Sequence, residues 1–205
     1  MATPLGADAF LEAIGNRRTY YGLNKELSIS PDRIQHLVKQ AVALVPSSFN
    51  SQSNRVMVLF GAEHDKLWDM VHDVLQGIVP AEQFAATAKR LAGFKAAAGS
   101  MLFFEDQDTV RAFEAKFPPY AANFGLWAAQ SDAMLQFALW TALEAEGLGA
   151  NLQHYNPLID ERVRDAWEVP ASWKLNAQLV FGGRAGAVGA KDVLPADQTT
   201  RFCGA

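Results

Sequence analysis

The sequence predicts an α+β fold, in which helices wrap a small sheet. Three or four short apolar runs are separated by about seven helical patterns along the 205 residues. The longest helical pattern, 126–146, is apolar around almost its whole circumference, which is typical of a helix buried at the centre of a protein. No internal repeat or linker is visible, so residues 1–205 are expected to form a single domain.

Capping and breaking residues delimit the predicted helices. Asp8 is expected to cap the first helix, and Gly15 to end it. The run Ser30-Pro31-Asp32 begins the second helix, because Ser is a favoured N-cap and Pro is favoured at the first helical position; Pro46 ends it. The remaining helical patterns cover 63–78, 80–95, 108–116, 126–146 and 158–168.

Apolar runs predict strands at 55–60 and 100–104, and the alternation of Leu175, Ala177 and Leu179 with Asn176 and Gln178 predicts a third at 174–182. Gly147-Leu148-Gly149 stops the longest helix, and the segment that follows it is expected to be a loop. The tail from Arg184 onward, rich in Gly and Ala and then charged, has no pattern that would form a core.

Charge and cysteine content exclude some classes of function. The net charge of −4 and the pI near 5.5 argue against a broad nucleic-acid surface. Cys203 is the only cysteine, and no apolar run approaches the roughly 20 residues that span a bilayer. With no visible secretory signal in residues 1–8, we expect a cytoplasmic protein without a nucleic-acid or membrane partner.

Two polar strings point to the ligand. Arg17-Arg18-Thr19-Tyr20-Tyr21 offers two guanidinium groups, whose fork geometry fits phosphate oxygens. Pro46-Ser47-Ser48-Phe49-Asn50-Ser51-Gln52 offers hydroxyl and amide groups, which suit a polar but uncharged ring. Together they predict a phosphorylated heterocycle. Taken singly, each string is more typical of a solvated helix end or a turn.

Other catalytic chemistries lack their motifs. The four histidines show no His-Glu-x-x-His spacing, so no metal site is expected. There is no Gly-x-Ser-x-Gly elbow, and Cys203 has no identifiable partner for nucleophilic catalysis.

The chain resembles the flavin-dependent nitroreductases, and in particular the short subgroup of fungal fatty-acid-repression-type nitroreductases and their bacterial relatives. Four segments carry the resemblance, in the family's order. They are Arg17 to Tyr21, Pro46 to Asn54, Leu139 to Pro157, and Phe181-Gly182-Gly183 followed by Lys191. The third segment is the most specific.

The resemblance implies a mixed, largely antiparallel sheet wrapped by helices, with the long helix at its centre. It also implies a homodimer that binds FMN in two pockets at the subunit interface. The tail from Arg184 onward would cross to embrace the partner subunit, which would explain why it carries no core pattern of its own.

The resemblance also assigns cofactor-binding residues. Arg17, Arg18, Thr19 and Lys191 would hold the phosphate and ribityl chain of FMN. Polar groups of the partner subunit would reach the flavin from Ser47, Ser48, Asn50 and Gln52. Gln153, His154 and Tyr155 would lie over one flavin face, and Tyr21 stands where Arg or Lys often completes the first motif.

By this resemblance the protein is an oxidoreductase in which FMN, rather than a protein side chain, carries the chemistry. NAD(P)H would reduce the flavin, and a nitroaromatic or quinone-like acceptor would then take the electrons in a ping-pong mechanism. The alternative is a flavin-binding dimeric sensor or storage protein without significant turnover. Two departures from the family pattern favour that alternative: His154 in place of the usual Glu, and Val193 where a second basic residue is frequent.

Overall fold

The computed structural model of the protein describes residues 6–204 and contains a five-stranded sheet. Every pairing between its strands is antiparallel, where the resemblance implied a mixed, largely antiparallel sheet. The strands are β1 (Leu23–Asn24), β2 (Asn54–Phe60), β3 (Gly99–Asp106), β4 (Gly149–Gln153) and β5 (Trp173–Arg184). The prediction that residues 1–205 form one domain extends to residues 1–5 and 205, which lie outside the described part of the chain.

Most helices follow the predicted patterns, but the first begins at Ala7, so that Asp8 lies in its first turn and not at its N-cap, and it continues through Gly15 to Asn16. The helices are α1 (Ala7–Asn16), α2 (Pro31–Leu44), α3 (Gly61–Gln76), α4 (Ala81–Lys95), α5 (Gln107–Lys116), α6 (Ala121–Ala145), α7 (Asp160–Trp167) and a short α8 (Ala196–Thr199). Ser30 caps α2 as expected, since its side chain accepts a hydrogen bond from the Arg33 amide. Single 3-10 turns cover Ser48–Asn50 and Pro118–Tyr120.

Strand β5 is the centre of the sheet. It pairs with β3 from residue 173 to residue 181, and β3 pairs in turn with β2. It also pairs with β4 through residues 178–182 and with β1 through residues 183–184. The third and fourth of the segments that carry the sequence resemblance therefore pair with each other, through β4 and the C-terminal half of β5.

The sheet separates two apolar layers. On one face, α3, α4 and α7 pack through a cluster that includes Trp68, Phe94, Leu102 and Phe104. On the other face, α2 and α6 pack through Ile34, Leu135, Leu139, Phe103 and Phe181. Alternation along β3 explains this division, because Leu102 and Phe104 point to one face while Phe103 points to the other.

The prediction of a loop after the longest helix is wrong at 149–153, which forms β4. The segment is short and mixes small, polar and apolar residues, so nothing in its pattern indicates a strand. Its hydrogen-bond partners come from β5, which lies about 30 residues further along the chain. Pairing of this kind is decided by tertiary contacts and not by local preference.

Helix α6 begins at Ala121 rather than at residue 126, because the 3-10 turn at Pro118–Tyr120 leads directly into it. Its buried residues form one face, toward the sheet. The opposite face carries apolar side chains that are exposed in the single chain: Leu126, Met134 and Phe137.

The tail after β5 has no strand, and its described residues, 185–204, are exposed except for Val188, which is half-buried. Between residues 6 and 204, no helix combines the length and the apolar character that crossing a membrane requires.

Candidate functional site

The arginine string Arg17–Tyr21 lies along the outer edge of β4. Thr19 forms a parallel bridge with Ala150, and the Tyr20 amide donates a hydrogen bond of 2.9 Å to the Ala150 carbonyl. The side-chain amide of Asn151 donates to the Tyr20 carbonyl at 2.8 Å. These contacts hold the arginine string in an extended conformation along the edge of β4 that is not paired with β5.

The end of α6 places β4 at this edge. Gly147 adopts φ +86°, and its amide donates to the Glu144 carbonyl at 3.0 Å. The Leu148 amide donates to the Leu143 carbonyl at 3.0 Å, which completes a Schellman cap. At Gly149 a Cβ atom would lie 2.9 Å from Tyr20 and Leu23 side-chain atoms, so the arginine string can approach only a glycine.

A first hollow, which we call the arginine hollow, opens beside Arg17 and Thr19. It has a volume of about 400 Å³ and is completed by Leu152 of β4 and by Gln136, Phe137 and Trp140 of α6. The guanidinium carbon of Arg17 lies 4.4 Å from the centroid of the Trp140 ring. This cation–π contact orients a permanent positive charge at the hollow, a suitable arrangement for a phosphate.

A second hollow, the tyrosine hollow, lies at the same edge of the sheet but on the side of α4, whereas the arginine hollow lies on the side of α6. It has a volume of about 510 Å³ and is lined by Tyr21, Gln153, Phe94 and Arg90. Arg90 comes from α4, and sequence analysis missed it. A single arginine on the exposed face of an amphipathic helix looks like an ordinary solvated charge, so no sequence signal could have found it.

Tyr155 lies beneath the tyrosine hollow and is half-buried. Its ring centroid is 5.7 Å from that of Trp68 and 6.4 Å from that of Phe94, and its amide donates to Gln178 Oε1 at 2.8 Å. Burial raises the pKa of the Tyr155 phenol, and the charge of Arg90 opposes that rise. His154, between Gln153 and Tyr155, is exposed.

Arg18 has a different partner from its neighbour. Its guanidinium donates to the carbonyl of Gly189 at 2.5 Å, and the Ala185 amide donates to the Gly22 carbonyl at 2.9 Å. These two bonds hold the start of the tail against the arginine string. Lys191, two residues beyond Gly189, is exposed.

The polar loop 46–52 forms a separate small hollow of about 140 Å³, lined by Ser47, Asn50 and Gln52 together with residues of α2 and β2. Ser47 Oγ accepts a hydrogen bond from the Gln52 amide at 2.9 Å, and the Asn50 amide donates to the Ser47 carbonyl at 2.9 Å. Ser48, half-buried in the same loop, does not line the hollow.

The predicted site residues therefore fall into two groups within one chain. Arg17, Thr19, Tyr21 and Gln153 line two hollows at one edge of the sheet. The loop residues line a hollow that shares no residue with either of these. A single chain does not bring the arginine string and the polar loop to one hollow.

Residues 14–183 match the sequence profile of the nitroreductase family. The chain belongs to the nitroreductase family. Among its relatives is the nitroreductase FRM2 of Saccharomyces cerevisiae, which is 38% identical over 176 residues, covering 84% of this chain and 86% of FRM2. The family assignment makes this protein an oxidoreductase.

Solved structures agree with this assignment. The nitroreductase CinD from Lactococcus lactis, solved in complex with chloramphenicol, is 42% identical and superposes with a TM-score of 0.87, covering 95% of this chain and 99% of CinD. CinD in complex with 4-nitrophenol superposes with a TM-score of 0.86 over the same shares of both chains. A protein from Exiguobacterium sibiricum, solved with FMN, is 14% identical with a TM-score of 0.69 and covers 99% of each chain, which is a likeness of fold alone.

Proposed function

We propose that this nitroreductase is a single-domain FMN-dependent oxidoreductase that uses NAD(P)H to reduce nitroaromatic or quinone-like acceptors. The observation that carries the proposal is the pair of hollows at the β4 edge, cationic at Arg17 and polar at Tyr21 and Gln153. The FMN-bound protein of the same fold adds support. A cytoplasmic location stays a prediction from the sequence.

The chemistry of the two hollows fits the two ends of FMN. The phosphate would lie against Arg17 and Thr19, where a guanidinium and a hydroxyl offer charge-assisted and neutral hydrogen bonds. The polar edge of the ring would lie in the tyrosine hollow, near Gln153 and Arg90. A positive charge at that edge favours the anionic reduced form of the ring and so raises its reduction potential.

Lys191 would reach the phosphate from the tail. Arg18 donates to the carbonyl of Gly189, two residues before Lys191, and so holds the segment that carries Lys191. In this proposal Arg18 supports phosphate binding mainly by ordering the tail, while Arg17 meets the phosphate directly.

The second half of each site would come from the partner subunit of a homodimer. Ser47, Ser48, Asn50 and Gln52 would reach the edge of the partner's ring, with Gln153, His154 and Tyr155 on the side of the chain's own flavin. The exposed apolar face of α6 supports dimerisation, as does α1, which has no buried residue and exposes Phe10 and Leu11. The tail would cross to the partner.

Bound FMN would supply the redox chemistry, accepting hydride from NAD(P)H and passing electrons to the acceptor in a ping-pong sequence. The protein's part is to hold the cofactor, to tune its potential and to leave one ring face open. The ligands of CinD, chloramphenicol and 4-nitrophenol, are small aromatic molecules and support an acceptor of that class.

The test is the colour and the turnover of the purified protein. We expect flavin absorbance bands, bleaching by NADH or NADPH under anaerobic conditions, and recovery of the bands when a nitroaromatic acceptor is added. A yellow protein that neither nicotinamide reduces would favour the alternative, a flavin-binding sensor or store. A colourless protein that cannot be loaded with FMN would contradict both proposals.

A further inference from the structure

The polar loop is held in a backbone conformation that its residues disfavour. Phe49, Asn50 and Gln52 have φ values of +55°, +53° and +53°, and none of them is glycine. Asn tolerates the left-handed region, but for Phe the Cβ atom crowds the backbone there. A conformation of this kind persists only where surrounding contacts enforce it, and it is found most often at binding sites.

The contacts that enforce it are aromatic. The Phe49 ring packs on Phe117 at 4.7 Å and on Phe124 at 5.5 Å between ring centroids. It also packs on Tyr120 at 5.8 Å and on Trp127 at 5.9 Å. These four rings come from the junction of α5 and α6, which is remote from the loop in sequence. Phe49 is thus the point at which the loop is tied to α6.

The two sides of the loop have different characters. Ser47, Asn50 and Gln52 line the small polar hollow, whereas the half-exposed Phe49 ring does not and packs against the aromatic cluster that includes Phe117, Phe124 and Trp127. Because Ser47 Oγ already accepts from the Gln52 amide, its hydroxyl hydrogen is available to donate to a ligand. The positive φ at Phe49 and Asn50 turns the chain between the aromatic side and the polar side.

We propose that Phe49 is a positioning residue whose ring anchors the loop, so that Ser47 and Asn50 meet the flavin of the partner subunit in a preorganised geometry. The inference rests on the proposed function, because the loop has a target only if the dimer binds FMN. The proposed function does not require Phe49; the strained loop and the four rings assign it this role.

Three variants of the full-length protein and one control test the proposal. Phe49→Ala removes the ring and keeps the strain, so FMN should bind about tenfold or more weakly, and the retained FMN should have a lower reduction potential. Phe49→Gly removes the ring too but adopts positive φ freely, so its loss of affinity should be smaller. Phe49→Tyr keeps an aromatic ring at this position, so its FMN affinity and the reduction potential of its FMN should both match the wild type.

Phe113→Ala is the matched control. Phe113 belongs to the same aromatic cluster and packs on Phe117 and Phe124 at centroid distances of 6.1 and 5.9 Å. The Phe113→Ala substitution should lower the thermal stability of the protein while leaving the FMN affinity and the reduction potential of bound FMN close to wild type. If Phe49→Ala does not fold, Phe49→Leu, which keeps apolar bulk without an aromatic ring, takes its place with the same expectations.

Two outcomes would overturn the anchor role: wild-type affinity and potential in Phe49→Ala, or equal losses in Phe49→Ala and Phe113→Ala. If the wild-type protein itself binds no FMN, the proposed function fails, and the anchor role falls with it. The wild-type titration therefore separates the two failures.

Discussion

Arg17 and Arg18 are neighbours in sequence, but their guanidinium groups do different things. Arg17 lies over Trp140 at the arginine hollow, while Arg18 donates to the carbonyl of Gly189 in the tail. The difference follows from extended backbone, in which successive side chains point to opposite sides. Of these two arginines, only Arg17 is therefore expected to contact the phosphate of FMN.

This division leads to a prediction for Arg17→Ala. FMN affinity should fall by a factor corresponding to about 1.5–3 kcal/mol, the usual worth of a hydrogen bond to a charged group. Riboflavin, which lacks the phosphate, should bind the variant and the wild type equally well. Fluorescence titration of apoprotein with both ligands measures this. An equal loss for riboflavin would mean that Arg17 acts by packing and not through the phosphate.

Asp132 is a second residue with an unusual environment. It is buried in α6 against the sheet, and its Oδ2 accepts from Gln136 at 2.8 Å and from Asn176 at 3.0 Å. Its Oδ1 is buried without a hydrogen-bond partner. Burial raises the pKa of Asp132 to about 6, and the nearby carboxylate of Glu105 adds to the rise.

The raised pKa has a defined effect on stability. The folded protein binds the Asp132 proton more tightly than the unfolded chain does. The stabilisation from this proton is complete below pH 4 and is lost as the pH rises through about 6. At pH 8 the protein therefore carries a buried charge that an amide would avoid.

Asp132→Asn should accordingly stabilise the protein at pH 8 by about 1–3 kcal/mol. The advantage should shrink toward pH 4. Urea unfolding at several pH values measures this, and Asp197→Asn, at an exposed position, is the control. A variant that is less stable than wild type at pH 8 would show that the carboxylate has a partner that offsets its burial.

At the scale of elements, α6 links the separate parts of the site. Its Trp140 packs on Arg17 of the arginine string. Its Phe124 and Trp127 pack on Phe49 of the polar loop. The Schellman cap at Gly147, which ends the helix, sets the position at which β4 begins. A helix that is apolar on all sides is usually buried on all sides. In the single chain, however, one face of α6 packs on the sheet and the other remains exposed, which a homodimer interface would explain.

The tail after β5, residues 185–204, is the part of the chain whose function is least indicated by its sequence pattern and its packing. It lacks a core pattern, and all of its described residues except Val188 are exposed, including the large apolar residues Val193, Leu194 and Phe202. Exposed apolar side chains along an extended segment are typical of a strand or arm that packs on another chain. The proposed crossing to the partner subunit gives them a place to pack.

At the scale of the whole molecule, the proposal makes each flavin site a product of two chains. Arg17 would come from one subunit and the polar loop from the other. Mixed dimers of two defective variants, Arg17→Ala and Asn50→Ala, distinguish this arrangement from a site built within one chain.

If the site is shared, a mixed dimer contains one site with both defects and one site with none. We therefore expect half of its sites to bind FMN with wild-type affinity. If each site is built within one chain, every site in the mixed dimer carries one defect, and no high-affinity binding returns. Differently tagged subunits, purified as the heterodimer and titrated with FMN, provide the measurement.

Much of the fold could be read from the sequence. Helix α2 was predictable because Ser30 and Pro31 act through local hydrogen bonding and fixed φ. Strands β2 and β3 were predictable from short apolar runs, and β5 from the alternation of apolar and polar residues. Strand β4 was not, because its small and mixed residues become a strand only when β5 pairs with them.

Sequence alone therefore determined the α+β class, the family, and the residue types that would meet a phosphate and a ring. Tertiary structure decided that Arg17 and not Arg18 lines the arginine hollow, that Arg90 joins the tyrosine hollow from α4, and that Phe49 ties the polar loop to α6. The physical reason is the separation along the chain over which each kind of interaction acts. Propensity, capping and periodicity act over a few residues, whereas these contacts join segments that only the packed sheet brings together.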